Sequence, residues 1–353
     1  MRTTNYDLEN PFNFPPIQLD RLHWFSKESL GDIPVVDMQK LNSKEELTAF
    51  INEVLEKKIF CIENHGIEEY LIEELLNVHR AFFSLSEEEK AKFVPPDMKI
   101  DVAGYKGFKK GSVAKVSGTG ESFDQLMQYV FSVHNTDVTY PNETFGRVCK
   151  LYTEKVTALI RLLLEKLFDA LQLIPSDFTY TKEVQEFFLE KGFTRNMTLL
   201  YPAVEQDEDA RERMTSHYDT SLITILYQIP TLGKFSEDPY IGFELEEEGE
   251  RIPIPPVRGT FLVNFGELIH HLTNGVVEAN YHGVRIPTEE ELPESERMTI
   301  VSFYFPDPQT KLKLSKIKGS ISYNAIQNGD LKEGQEVTLE VLRKAMFKKY
   351  FTY

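Results

Sequence analysis

Residues 216–228, SHYDTSLITILYQ, place a histidine and an aspartate two positions apart, His217 and Asp219, at the head of an apolar, β-branched run. A run of this composition reads as a buried strand. In a strand, side chains at i and i+2 project from one face, so the pair can hold a single cation. The stretch therefore points to a β-rich core, with a pair that either ligates a metal or is a satisfied structural pair, which the spacing alone does not decide.

The same character continues on both sides of it. Between Thr194 and Pro306 lie NMTLLYP, LITILYQ, IGFELEEEGERIPIPP, GTFLVNFGELI, EANYHGVRIP and RMTIVSFYF, short strand-like runs separated by turn signals, which suggests a sandwich or barrel. EEEGER reads as a hairpin tip. Upstream, DIPVVDM (32–38) reads as a strand. Leu47, Phe50, Ile51, Val54 and Leu55, behind a cap at Asn42 or Ser43, read as one face of a helix. IFCIENHG (59–66) then reads as a second strand, and a second helix follows with a break near Ser84–Ser86. The chain thus opens as a β-α-β-α unit.

Between about 96 and 135 the pattern fades into Gly, Lys and Ser, which predicts a long loop bearing Tyr105, Lys106, Lys109 and Lys110 near a substrate. Lys155 to Leu173 is the cleanest helix, with Val156, Leu159, Ile160, Leu163, Leu164, Leu167, Phe168 and Leu171 on one face. A last helix is predicted in TLEVLRKAMFKKYF (338–351). The expected fold class is mostly β with flanking helices. One integrated domain is expected, with a helical and strand N-terminal region (1–135), a core with backing helix and metal site (136–310), and a C-terminal segment (311–353).

Bulk composition narrows the function. The 353 residues carry a formal charge of −17, with 41% hydrophobic and 27% charged residues. An acidic chain without clustered Lys and Arg does not suit nucleic acid or an anionic membrane. Two cysteines, Cys61 and Cys149, provide no disulfide framework or zinc knuckle. No basic start with an apolar stretch opens the chain, and no run of about 18 apolar residues occurs. A cytoplasmic monomer acting on a small molecule is the expectation.

Of the eight histidines, His282 lies on a later strand-like segment that a barrel could bring beside His217 and Asp219; His270 and His271, in GELIHHLTNG, compete for the same role. Two imidazoles and one carboxylate leave positions open on a metal, an arrangement suited to non-haem Fe(II). Catalytic zinc is the alternative, although the HExxH helix that often serves it is missing. Arg297 and Thr299 are again i and i+2 on a strand and would present a guanidinium fork and a hydroxyl together, a clamp for a carboxylate. Tyr201 could add a phenol donor.

On these residues the chain resembles the isopenicillin N synthase-like family of Fe(II)/2-oxoglutarate-dependent dioxygenases. The resemblance rests on IPVVDM, IENHGI and FFSLSEEEK in the first half and on HYDTSLITILYQ, IPPVRGTFLVNFGELIHHLTNG, NYHGV and RMT in the second. It implies a distorted double-stranded β-helix, or jelly roll, flanked by helices. It further implies iron ligation by His217, Asp219 and His282, and 2-oxoglutarate binding by Tyr201, Arg297 and Thr299. His270 and His271 fall in a stretch that is structural in the family. Fe(II), 2-oxoglutarate and O2 are the implied cofactor and co-substrates, and oxidation of an unactivated C–H bond of a natural-product intermediate is the implied reaction. By resemblance and strand alternation, Met214, Thr224, Leu226 and Phe303 line the substrate pocket. Asp219 speaks against a halogenase, in which a small residue vacates that position. Two departures, Leu199 where plant members carry Asn and Gly283 where Arg usually follows the distal histidine, lean toward an oxidase that binds an acidic substrate on Arg297 without 2-oxoglutarate. A non-catalytic binding protein on the same fold would be expected to have lost a triad residue.

Overall fold

Ser43 accepts a hydrogen bond from the Glu46 amide, and the Glu46 carboxylate accepts one from the Ser43 amide. This capping box satisfies backbone donors that a helix start leaves without partners. It opens α1 (Lys44–Lys57), which buries Phe50, Ile51 and Val54. In the computed structural model, which describes residues 15–96, 102–109, 112, 122–133, 138–176, 178–203, 212–232, 239–315, 317 and 320–346, α1 connects β1 (Val35–Asp37) to β2 (Ile59–Glu63), and the two strands pair in parallel. α2 (Glu69–Phe83) follows, and α3 (Glu87–Ala91) restarts behind a second capping box at Ser86. The break expected near Ser84–Ser86 lies between them.

The stretch read as a long loop contributes two strands instead, β3 (Gly104–Lys106) and β4 (Met127–Ser132). Neither has enough residues to show a period alone. Pairing of β4 with β5 (Phe193–Tyr201) supplies what local sequence does not. Tyr105 is buried against Phe82 and Phe83; Lys110 and His134 lie outside the described residues.

The backing helix, α4 (Glu143–Leu171), begins well before Lys155, with the Asn142 side chain accepting from the Phe145 amide. Its apolar face extends upstream because Phe145, Val148, Cys149 and Tyr152 continue the stripe.

The remaining strands are β6 (Glu212–His217), β7 (Ile223–Gln228), β8 (Phe243–Glu247), β9 (Glu250–Pro253), β10 (Phe261–Phe265), β11 (Tyr281–Arg285) and β12 (Arg297–Phe305). Eight strands form a large sheet in the order β1-β2-β10-β7-β12-β5-β4-β3, and four form a smaller one, β6-β11-β8-β9. EEEGER is a two-residue hairpin with both tip residues, Glu248 and Gly249, at positive φ, the turn whose twist matches paired strands. Met197, Leu199, Leu226, Leu262 and Val301 of the large sheet meet Phe243, Leu245 and Val284 of the small one in an inner core. The outer face of the large sheet packs against α1, α2 and α4 in a second, larger core. This is the jelly-roll, double-stranded β-helix architecture, with helices on one side.

A short helix α5 (Glu267–Leu272) lies between β10 and β11, and the described residues close with a β-hairpin, β13 (Lys311–Lys313) with β14 (Glu336–Thr338), and the helices α6 (Ile321–Gln327) and α7 (Leu339–Met346). No helix of the described residues is long and apolar enough to cross a membrane.

Candidate metal centre

Antiparallel pairing of β6 with β11 sets His217 directly opposite His282. Their ring centroids lie 4.7 Å apart. Strand β6 ends at His217, so Asp219 is not its same-face neighbour in a regular strand, as the spacing predicts. It stands in the turn beyond, where its carbonyl accepts from the Glu267 amide at the head of α5. The turn brings the carboxylate to the place strand geometry would have put it: His217 Nε2 is 3.5 Å from Asp219 Oδ1, and His282 Nε2 is 3.8 Å from Oδ2. One ligand atom from each residue lies within 4.8 Å of the others.

The donor set suits a cation. Asp219 Oδ2 is buried without a hydrogen-bond partner, and a buried anionic oxygen is costly unless something positive meets it. Nδ1 of His217 faces the Thr215 carbonyl at 2.9 Å; a carbonyl only accepts, so Nδ1 carries the proton and Nε2 presents its lone pair to the centre. The His282 ring stacks on Phe243 at 5.1 Å, which fixes its plane, and burial pushes its pKa down to about 4, keeping it a neutral donor. Burial opposes charge on His217, but the hydrogen bond and charge of Asp219 outweigh it and raise its pKa. Burial alone would raise Asp219, but the two imidazoles hold it below the usual carboxylate range.

Among the described residues, these three form the one group of His, Cys, Asp or Glu arranged to hold a metal. His271 is engaged elsewhere: its Nδ1 and Nε2 meet Ser315 and Ser322 at 3.0 and 3.1 Å, and burial lowers its pKa to about 3. Ser322 in turn bonds the buried Glu267 carboxyl, pushed up to about 7 by burial.

At one end of the same inner face, Arg297 pairs in register with Tyr201, and its guanidinium lies 5.3 Å from the Tyr201 ring centroid. Its Nη2 donates to Thr299 Oγ1 at 3.1 Å and to Gln228 Oε1 at 2.8 Å, while Nη1 is buried without a partner. An unpartnered guanidinium N–H in a buried site matches a carboxylate oxygen. Gly242 makes room for it, since a Cβ there would collide with Nη1 and with the Tyr240 hydroxyl. Gln228 and Gly242 escape the motif reading. Gln228 was nonetheless visible as the polar residue that continues the inward alternation of Thr224 and Leu226.

The four pocket candidates separate. Thr224 sits across from Phe303 in register, its hydroxyl against both Ser221 and the Asp219 carboxylate. Met214 packs on the edge of the inner core. Leu226 is buried within that core beside Cys61 and Leu262.

Comparison with known proteins agrees with this geometry. Residues 190–306 match the model of the 2OG-Fe(II) oxygenase superfamily, and residues 33–143 match that of the N-terminal region of non-haem dioxygenases in morphine synthesis. An alpha-ketoglutarate dependent kainoid synthase of Digenea simplex is 30% identical over 306 residues, covering 84% of this chain and 81% of the relative. Its namesake from Pseudo-nitzschia multiseries is 28% identical over 298 residues, covering 83% and 78%. In fold, the chain is similar to a full-length Neurospora crassa protein crystallised in complex with alpha-KG and thymine, at a TM-score of 0.68, 18% identity and coverage of 93% and 99%.

Proposed function

Because the chain belongs to the 2OG-Fe(II) oxygenase superfamily, with Fe(II) as its metal and 2-oxoglutarate and O2 as co-substrates, we propose that His217, Asp219 and His282 hold the iron and that Arg297, Thr299 and Tyr201 hold the far carboxylate of 2-oxoglutarate. The observation that carries the assignment is the pair of orphaned, oppositely charged atoms on one inner face, Asp219 Oδ2 and Arg297 Nη1. Each lacks the partner that the iron and the co-substrate respectively supply.

Iron, 2-oxoglutarate and dioxygen together supply the oxidant that opens an unactivated C–H bond, with succinate and CO2 as by-products. The protein's part is placement. Gln228 and Thr299 fix the guanidinium before the co-substrate arrives, so little ordering is left to be done on binding. The inner core excludes water from the reacting centre. The substrate is a small molecule, and relatives named kainoid synthase and thebaine 6-O-demethylase support a natural-product intermediate that undergoes hydroxylation, desaturation or ring closure. The same relatives favour 2-oxoglutarate over an oxidase that binds its substrate directly on Arg297.

Anaerobic addition of 2-oxoglutarate to the Fe(II) protein should produce a metal-to-ligand absorption band, and aerobic incubation should release succinate slowly without any substrate. Absence of both sinks the proposal.

A further inference from the structure

The clamp end of the inner face holds a second buried guanidinium. Arg213 is 0% exposed, and its fork is anchored beside the ends of the two strands that carry the clamp. Nη2 donates to the Pro202 carbonyl at 3.0 Å and to Ser295 Oγ at 2.8 Å, and Nη1 donates to the Ser295 carbonyl at 2.9 Å. Pro202 follows Tyr201, Ser295 stands two residues before Arg297, and Tyr201 and Arg297 are partners in register. Tyr240 lies between the two guanidiniums. Its ring centroid is 5.3 Å from that of Arg213, and its hydroxyl and Arg297 Nη1 border the space that a Cβ on Gly242 would enter.

Charge sets this pair apart. Among the described residues, the partners of Arg213 and Arg297 are all neutral: carbonyls, hydroxyls, one amide and the tyrosine rings. Arg285, which also lies over the Tyr240 ring, shows the contrasting arrangement, with Glu291 at 2.6 Å. Nε of Arg213, like Nη1 of Arg297, is buried without an acceptor. Burial, joined by the charge of Arg297, holds Arg213 below the ordinary guanidinium range. Two like charges buried together are costly unless an anion meets them.

We infer that Arg213 is a specificity-determining residue for the co-substrate, whose charge makes the site demand a far carboxylate and refuse 2-oxo acids that lack one. This rests on the functional reading above. Arg297 makes the contact. Arg213, held back by its own neutral partners, adds a second positive charge in a buried setting, where charges act over several ångströms. A 2-oxo acid ending in a methyl group would leave both cations unmatched and Nη1 without its acceptor, and a buried site shaped for a polar group rejects the analogue without it.

The test is equilibrium binding to the full-length Fe(II) protein without oxygen, read by the metal-to-ligand band. The ligands are 2-oxoglutarate and 2-oxopentanoate, the same chain without the far carboxylate. Wild type should favour 2-oxoglutarate by roughly tenfold or more. Arg213→Gln should weaken 2-oxoglutarate roughly tenfold and leave 2-oxopentanoate within about twofold, the loss of one charge felt by one ligand only. Arg213→Lys, which keeps the charge without the fork, should retain most of the preference. A merely structural role would move both acids together, since both meet the iron through the same oxo-acid end. Equal loss of both acids, undiminished 2-oxoglutarate binding in Arg213→Gln, or a Lys variant no better than the Gln variant overturns the inference. Should Arg213→Gln not fold, Arg213→Lys decides by keeping or losing the preference for 2-oxoglutarate. Failure of the functional reading would show separately, as wild-type protein in which neither acid produces the band.

Discussion

Gln228 and Arg297 are joined across the large sheet by a 2.8 Å hydrogen bond from Nη2 to Oε1. The bond of Gln228 is to the guanidinium, so its effect should fall on the co-substrate. Gln228→Leu should weaken 2-oxoglutarate binding about tenfold, as expected for one hydrogen bond to a charged group, and leave iron content unchanged. Titration of the metal-to-ligand band against 2-oxoglutarate measures it; unchanged affinity would remove Gln228 from the site.

Gly242 should be as sensitive from the opposite side. A methyl group there has nowhere to go without displacing Arg297 or Tyr240. Gly242→Ala should raise KM for 2-oxoglutarate and lower stability by about 1–3 kcal/mol, the usual cost of overpacking. Chemical denaturation and initial-rate kinetics separate the two effects.

Gly283, one of the departures from the family pattern, has a local reason. A Cβ there would come within 2.6 Å of Ser216 Oγ, 3.0 Å of Glu212 Oε1 and 3.1 Å of the Met214 carbonyl. Ser216 donates to Glu212, and Arg251 pairs with Glu212 and Glu244 alongside. This network fills the space beside Gly283. Gly283→Arg should therefore lower Tm by several degrees, about 1–3 kcal/mol, rather than restore a family feature; a Tm equal to or above wild type would contradict it.

His217→Ala should remove one of three donors and reduce iron affinity by roughly 100-fold or more, beyond the effect of losing a supporting partner. Metal analysis after gel filtration reads this directly. Retained iron would break the triad assignment.

His79 gives a pH dependence away from the metal. It is buried among Tyr129, Phe131 and Phe145, its Nδ1 bonded to the Leu75 carbonyl, and burial pushes its pKa down to about 3 from an ordinary 6.5. Between those values the unfolded chain takes up a proton that the folded chain refuses, so its contribution to stability is full above pH 6.5 and declines as pH falls toward 3. The drop in denaturation midpoint from about pH 7 to about pH 5 should be smaller in His79→Leu than in wild type. An equal drop would show that His79 does not contribute.

Much of this was legible locally. The faces of α1, α2 and α4 and the pair Arg297/Thr299 each follow from side-chain periodicity within one element, and the EEEGER hairpin follows from its turn residues. Two errors share a cause. Residues 96–135 hide β3 and β4 because a strand of three residues and one of six whose burial does not alternate have no period of their own. Asp219 was placed on a strand that stops at His217, because the end of a strand depends on its neighbours.

The sequence by itself determined the chemistry available: which residues can ligate iron, which can clamp a carboxylate, and where the apolar faces lie, all set by residue type and short-range spacing. Tertiary structure alone decided which of them meet. It chose His282 over His270 and His271 through the β6–β11 register, seated Gln228 and Gly242 around Arg297, and anchored Arg213 beside the same clamp. Those are pairings between strands far apart in the chain, and register across a sheet is settled by the sum of contacts on both faces, not by any one segment.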